Sequence, residues 1–212
     1  MDNEESINRI KEFNVLQSKI SASATIKDCF HHDKFQCKLP IKSAHSLQRQ
    51  GALKQLERNI YGNMKLYCHS ERVINIKENF LDLKPIGRKE ASTFFGFCDY
   101  HDTKLFSVIE NDPEVTDIDS NEHCFLHSYR SFAHSYHRKY EEFKLFSSND
   151  NEIVEILIKR YGVSGIRENL YYIGLALKDL EKPKSLLDRY IDNCDYGELD
   201  YLVFEFPYKI PI

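Results

Sequence analysis

Apolar residues recur at helical spacing at the head of the chain. Ile7, Ile10, Phe13, Leu16 and Ile20 predict an amphipathic helix over the first twenty or so residues, and the small polar run Ser21 to Thr25 ends it. Residues 26–42 hold Cys29, His31, His32, Cys37 and Pro40, follow neither the helical nor the strand period, and read as a loop or knuckle. Ser46 to Asn59 predicts a short helix with Leu47, Leu53 and Leu56 on one side, weakened at Gly51 by about 1 kcal/mol relative to alanine. Met64–Cys68, Val73–Lys77 and Phe80–Lys84 alternate apolar with polar residues, which predicts a small antiparallel sheet closed by Pro85 and Gly87. The apolar run 91–98 forms a strand or turn into Cys98. His101 to Glu110 starts a helix that Asp112-Pro113 breaks, and the acidic stretch 110–122 reads as an exposed loop.

The strongest helical pattern spans residues 122–146. Phe125, Tyr129, Phe132, Tyr136, Tyr140 and Phe143 make an aromatic stripe that reads as core. His123, His127, Arg130, His134 and Arg138 recur on the opposite side. Four of these, His127, Arg130, His134 and Arg138, are candidate nucleic-acid contacts, since such a face could meet phosphates. The alternative is an ordinary solvated face. Further helices are expected at 151–161, 165–180 and 184–193, with Gly162 and Pro183 as breaks, and Tyr201–Pro207 is β-like. The expected fold is α+β and mainly helical: a small antiparallel sheet with a zinc-knuckle region, followed by a C-terminal helical bundle. A single domain over 1–212 would comprise an N-terminal helix (1–25), a metal-binding region (26–110) and a helical region (120–212).

A length of 212 residues suits one domain at the upper end of the ordinary range, and 42 % hydrophobic residues are ample for its core. The net charge of −4 argues against a generally basic nucleic-acid coat and leaves room for a local basic patch. The opening Met-Asp-Asn-Glu-Glu lacks the pattern of a secretory leader. No apolar stretch approaches the roughly 18 residues of a membrane span. The expectation is a cytoplasmic protein with no membrane association. In that setting six cysteines read as thiols or metal ligands rather than a disulfide framework.

Their spacing sharpens this. Cys29-x7-Cys37-x7-His45 is followed, after a gap, by Cys98-x2-His101. Thiolates and imidazoles bind zinc in tetrahedral sets of four, and two intervening residues let one tight knuckle aim both side chains at a single ion. The first pair is more widely spaced, so His31 or His32 could replace either member, and His45 could itself be a ligand or a satisfied core histidine. Cys29 and Cys37 could also be plain buried thiols, as expected for Cys68, Cys124 and Cys194. The chain carries no Gly-rich phosphate loop, Gly-x-Ser-x-Gly elbow, His-Glu-x-x-His or dinucleotide fingerprint.

At Ala44-His45-Ser46-Leu47-Gln48 and Gly96-Phe97-Cys98-Asp99-Tyr100-His101-Asp102 the sequence resembles the HNH (ββα-metal) nucleases. The resemblance implies a structural Zn2+ held by Cys29, Cys37, Cys98 and His101, and His45 as general base. Asp102 then stands where the family has a second metal-binding histidine, next to a catalytic Mg2+ or Mn2+ that Glu110 could also ligate. The block Ala91–Phe106 also looks like one found in uncharacterised proteins of bacteria and mobile elements, implying a defence or mobile-element setting. The chain departs from the family pattern in lacking the proline after the histidine motif and in its long gap between His45 and Cys98. No asparagine is clearly placed between the halves, although Asn59, Asn63 and Asn75 are available. A metal-dependent nuclease is thus one expectation. The other is a non-catalytic zinc-braced module that binds a protein or nucleic-acid partner through its C-terminal helices.

Overall fold

The computed structural model describes residues 3–38, 40–69, 83–111 and 119–202. The expected strand at 73–77, the start of the one at 80–84, most of the acidic loop and the β-like run from 203 onward lie outside these residues. The fold is mainly helical, with small antiparallel sheets and a C-terminal helical region. Helix α1 (Asn3–Ala24) ends on Ile20 and Ala24, which are buried with Leu145, Phe146, Ile153 and Leu157 from two later helices, α4 (Asn121–Phe146) and α5 (Asn151–Asn193).

The larger core forms around a two-stranded antiparallel ladder of β1 (Ile41–His45) and β5 (Thr93–Cys98), followed directly by helix α3 (Asp99–Asn111). Ile41 lies opposite Cys98 and His45 opposite Thr93, with a bulge between Lys42 and Ala44. Phe94, Phe97 and Cys98 of β5 are buried with Phe106 and Ile109 of α3 and with Phe125, Leu126 and Tyr129 of α4. Strand β1 begins inside the stretch expected to be a knuckle. Five residues, two of them polar and exposed, are too few to show a period, and pairing with the apolar β5 makes the strand.

Helix α2 covers only Ala52–Leu56, and Arg58–Ile60 is instead strand β2, paired with β3 (Asn63–His69). The connecting Tyr61 and Gly62 both have left-handed φ, 51° and 81°, as a two-residue hairpin requires. Asn59 Oδ1 accepts the Gly62 N–H at 2.9 Å, a local bond that competes with continued helix. Strand β4 (Leu83–Ile86) completes this sheet. Pro85 lies within it rather than closing it, opposite Tyr67, which is tolerated because β4 is an edge strand.

The three expected C-terminal helices are two, meeting at Gly162, where φ is 68° and ψ is 167°. Pro183 does not break α5. Loss of one helical hydrogen bond at a proline costs about 3 kcal/mol, and burial of Leu187, Tyr190 and Ile191 against the main core holds the helix across it. On α4 the aromatic stripe is core at Phe125 and Tyr129 but leaves it at Tyr140 and Phe143, which are 39 % and 38 % exposed.

Backbone closeness matters most at Gly96 of β5. Its carbonyl accepts the Phe30 N–H at 2.6 Å, and a Cβ there would sit 2.0 Å from the Phe94 ring. That ring is hemmed in by Phe97, His134 and His137. Gly96→Ala is expected to lower stability by about 1–3 kcal/mol, the usual cost of overpacking. The check is a urea titration followed by circular dichroism, and an unchanged midpoint would contradict the packing described.

Candidate metal centre and adjoining pocket

Local hydrogen bonds shape the first knuckle. Asp33 Oδ1 accepts the N–H groups of Phe35 and Gln36 at 3.0 and 3.3 Å, capping a turn over Lys34–Gln36. Lys34 donates to the Cys29 carbonyl, and the Cys37 N–H closes the turn on the Lys34 carbonyl at 3.2 Å. Four residues later β1 begins, and its register with β5 delivers Cys98 to the same end of the ladder. The first turn of α3 then folds His101 back over Cys98.

The outcome is a group of four. His101 Nδ1 lies 3.4 Å from Cys29 Sγ, 3.6 Å from Cys37 Sγ and 3.3 Å from Cys98 Sγ, and all four donor atoms fall within 4.8 Å of one another. A tetrahedral ion bonded at about 2.3 Å to sulfur and about 2.0 Å to nitrogen would set the nitrogen–sulfur separations at about 3.5 Å. Donor chemistry and spacing both fit, and the four residues could hold a metal ion such as zinc. Cys29, Cys98 and His101 are buried and Cys37 is half-buried. His31 stacks on His101 with centroids 4.0 Å apart and planes at 8°. His32 reaches Asp192 of α5 at 3.0 Å. His31 and His32, candidate substitutes, are therefore not among the four, and neither is His45.

Without a cation the group is electrostatically awkward. Burial, and then the neighbouring Cys98 and Cys37, push the Cys29 thiol up to about 12. Burial, helped by repulsion from Cys98, also raises the Cys37 thiol. Burial works on Cys98 in the same direction, but the N–H groups of His101 and Lys38 outweigh it and hold this thiol below its usual value. Burial keeps His101 neutral, and His31 is pushed down to about 3 by burial and then by the adjacent histidines. A divalent ion resolves the conflict, because it stabilises thiolates in a dry place.

The other end of β1 carries His45, which lines a pocket of about 500 Å3 together with Arg49, Asp102, Ser107, Glu110 and Arg130. Its Nδ1–H donates to the Ala91 carbonyl at 2.9 Å. A carbonyl can only accept, so Nδ1 carries the proton and Nε2 is left as a free base. Burial pushes the imidazole below its ordinary value, which keeps it neutral at pH 7. The Ala91 carbonyl is aimed by Ser92, which sits at a left-handed φ of 54°, an unfavourable conformation for a residue with a side chain. Two bonds hold it there: the Ser46 N–H to the Ser92 carbonyl at 2.7 Å, and the Leu47 N–H to Ser92 Oγ at 3.3 Å.

Asp102 follows His101 on α3, so the helical turn sends one side chain to the cluster and the next to the pocket. Asp102 Oδ1 is buried with no hydrogen-bond partner among the described residues. Burial raises its carboxyl, against the pull of Arg130. Glu110, about two turns on, accepts from Arg130 Nη1 at 2.6 Å. Asp102 and Glu110 both line this pocket, each an oxygen donor of the type that hard divalent cations take.

The His/Arg stripe of α4 is not a solvated cationic face. Arg130 is 2 % exposed, and Nε2 of both His127 and His134 is buried without a partner among the described residues. Burial lowers both imidazoles, that of His134 to about 4, with Arg130 and Arg138 respectively adding to the effect. Arg138 pairs with Glu141 at 3.1 Å. Of the remaining cysteines, Cys68 and Cys124 are half-buried. Cys194, expected to be buried, is exposed because it is the left-handed cap that ends α5. Spacing gave no signal for Arg49, or for Ala91 and Ser92 as orienters of His45. Among the described residues no helix is long and apolar enough to cross a membrane. The chain matches no known family model, no curated protein and no solved structure.

The purified chain is expected to carry about one zinc ion, and Cys98→Ser is expected to lower both zinc content and Tm sharply. Elemental analysis with a thermal melt checks this. A metal-free wild-type protein, or a Cys98→Ser variant of unchanged Tm, would rule the centre out.

Proposed function

We propose that the chain is a metal-dependent phosphodiesterase of the HNH type that acts on nucleic acid, with His45 as general base. The observation that carries this assignment is the tautomer of His45: Nδ1–H committed to the Ala91 carbonyl, leaving Nε2 as a base in a pocket it shares with Asp102 and Glu110. In its favour, β1 carries His45 and pairs with β5, which runs directly into α3 beside the Cys/His cluster.

In this mechanism Nε2 of neutral His45 accepts a proton from an attacking water, while the Ala91 carbonyl holds the ring and stabilises the imidazolium that forms. A Mg2+ or Mn2+ ion held by Asp102 and Glu110 would supply stabilisation of the charge that builds on the phosphate and the leaving oxygen. The Cys29, Cys37, Cys98 and His101 centre, taken as zinc, has no part in the chemistry. It fixes the two strands and α3 on which the pocket residues stand.

A net charge of −4 and the neutral, inward-turned histidines of α4 favour a second assignment, a non-catalytic zinc-braced module binding a protein or nucleic-acid partner. Plasmid nicking separates the two. With Mg2+ or Mn2+ the wild type is expected to nick, and His45→Ala to lose about 100-fold or more in rate, the scale of a lost general base, at unchanged zinc content. Nicking that survives His45→Ala removes the catalytic assignment, and no nicking with either metal leaves the binding module.

A further inference from the structure

We propose that Arg130 is the phosphate ligand of the His45 pocket, held ready by Glu110, so that the pocket takes a phosphate oxyanion of a nucleic-acid strand beside its carboxylates. This deepens the phosphodiesterase assignment and rests on it for the identity of the strand, but not for the phosphate. Arg130 comes from α4, outside residues 26–110, which carry the resemblance.

Its setting differs from that of a structural ion pair. The residue is 2 % exposed, and among the described residues one acidic side chain pairs with it: Glu110, through Nη1 at 2.6 Å. Its Nε–H is buried and has no acceptor among the described residues. A buried charge is normally paired and fully hydrogen-bonded, because each orphaned donor carries a desolvation cost. Arg130 also lines the His45 pocket. The guanidinium carbon lies 4.1 Å from the centroid of the Phe106 ring, which fixes the plane of the fork. A fixed guanidinium edge matches two phosphate oxygens at once, as a lysine cannot.

The rest of the pocket agrees. Arg49 Nε is also buried without an acceptor among the described residues. With His45 neutral, the two arginines are balanced by Asp102 and Glu110, so the pocket has room for an anion together with a divalent cation. An oxyanion here needs no overall positive charge on the chain, in keeping with the net −4. Glu110 has a double role: it orients Arg130 through Nη1, and it competes with phosphate for the guanidinium.

That competition gives a test of opposite signs. The full-length, zinc-loaded chain is titrated with inorganic phosphate at pH 7, without any other divalent metal, and followed by 31P NMR. Arg130→Met is expected to bind phosphate about tenfold more weakly, and Glu110→Gln, which keeps the shape and removes the competing charge, about three- to tenfold more tightly. If Arg130→Met does not fold, Glu110→Gln decides alone. Arg130 is only structural, and the proposal is overturned, if Glu110→Gln binds no more tightly than wild type or if folded Arg130→Met binds equally well. A short single-stranded DNA is expected to displace the phosphate; failure to do so overturns the strand as the source of the oxyanion. Because no turnover is read, a chain that binds phosphate through Arg130 yet nicks no DNA counts against the nuclease and not against Arg130.

Discussion

Three thiol sulfurs and an imidazole nitrogen, brought within 4.8 Å of one another in a mostly dry environment, set the terms for everything around them. Left without a cation they oppose one another: burial pushes the Cys29 and Cys37 thiols up while two backbone N–H groups pull Cys98 down. Apolar packing does not relieve that conflict. A divalent ion would, and would tie the 29–37 knuckle to a strand end and a helix start some sixty residues later in the chain. Hydrophobic burial of Phe94, Phe97, Phe106 and Tyr129 supplies the bulk of the core, and the cluster fixes how the strands and helix meet at its edge.

The pocket inherits its geometry from that junction. Asp102 is the residue after a cluster ligand, and Glu110 lies further along the same helix, so the rotation that seats His101 also fixes both carboxylates. On the strand side, the register that sets Ile41 against Cys98 also sets His45 against Thr93, and the strained Ser92 just before Thr93 aims the carbonyl that chooses the His45 tautomer. The sulfur-rich cluster at one end of the ladder and the His45 pocket at the other are thus held by one short pair of strands. The pocket carries the unpartnered Asp102 Oδ1 and Arg130 Nε and adjoins the left-handed Ser92, while other buried atoms without a partner among the described residues, such as Nε2 of His127 and His134, lie outside its lining.

How far the sequence disclosed this follows from the range of the forces involved. The Cys98-x2-His101 half was legible because its geometry is local to one helical turn. The joining of Cys29 and Cys37 to it was not contained in their own spacing, since it depends on β1 pairing with β5. Strand β1 was hidden, being five residues long with no period to read. Helix α4 was plain from its periodicity, but its His/Arg stripe was not: a 3.6-residue period places residues on a face without saying whether that face meets solvent, and Arg130 proved to be 2 % exposed. Pro183 misled for the reverse reason, because tertiary burial at Leu187, Tyr190 and Ile191 outweighed a local rule. The hairpin at Tyr61-Gly62 depends on left-handed φ values that Tyr61 gives no hint of in sequence.

The metal centre is therefore the part of the account on which the pocket, and any chemistry assigned to it, depends. X-ray absorption at the zinc edge of the purified full-length chain reads that centre directly. The geometry predicts about three sulfur neighbours at roughly 2.3 Å and one nitrogen at roughly 2.0 Å. A first shell made of oxygen and nitrogen alone, or a chain that takes up no zinc at all, would contradict it.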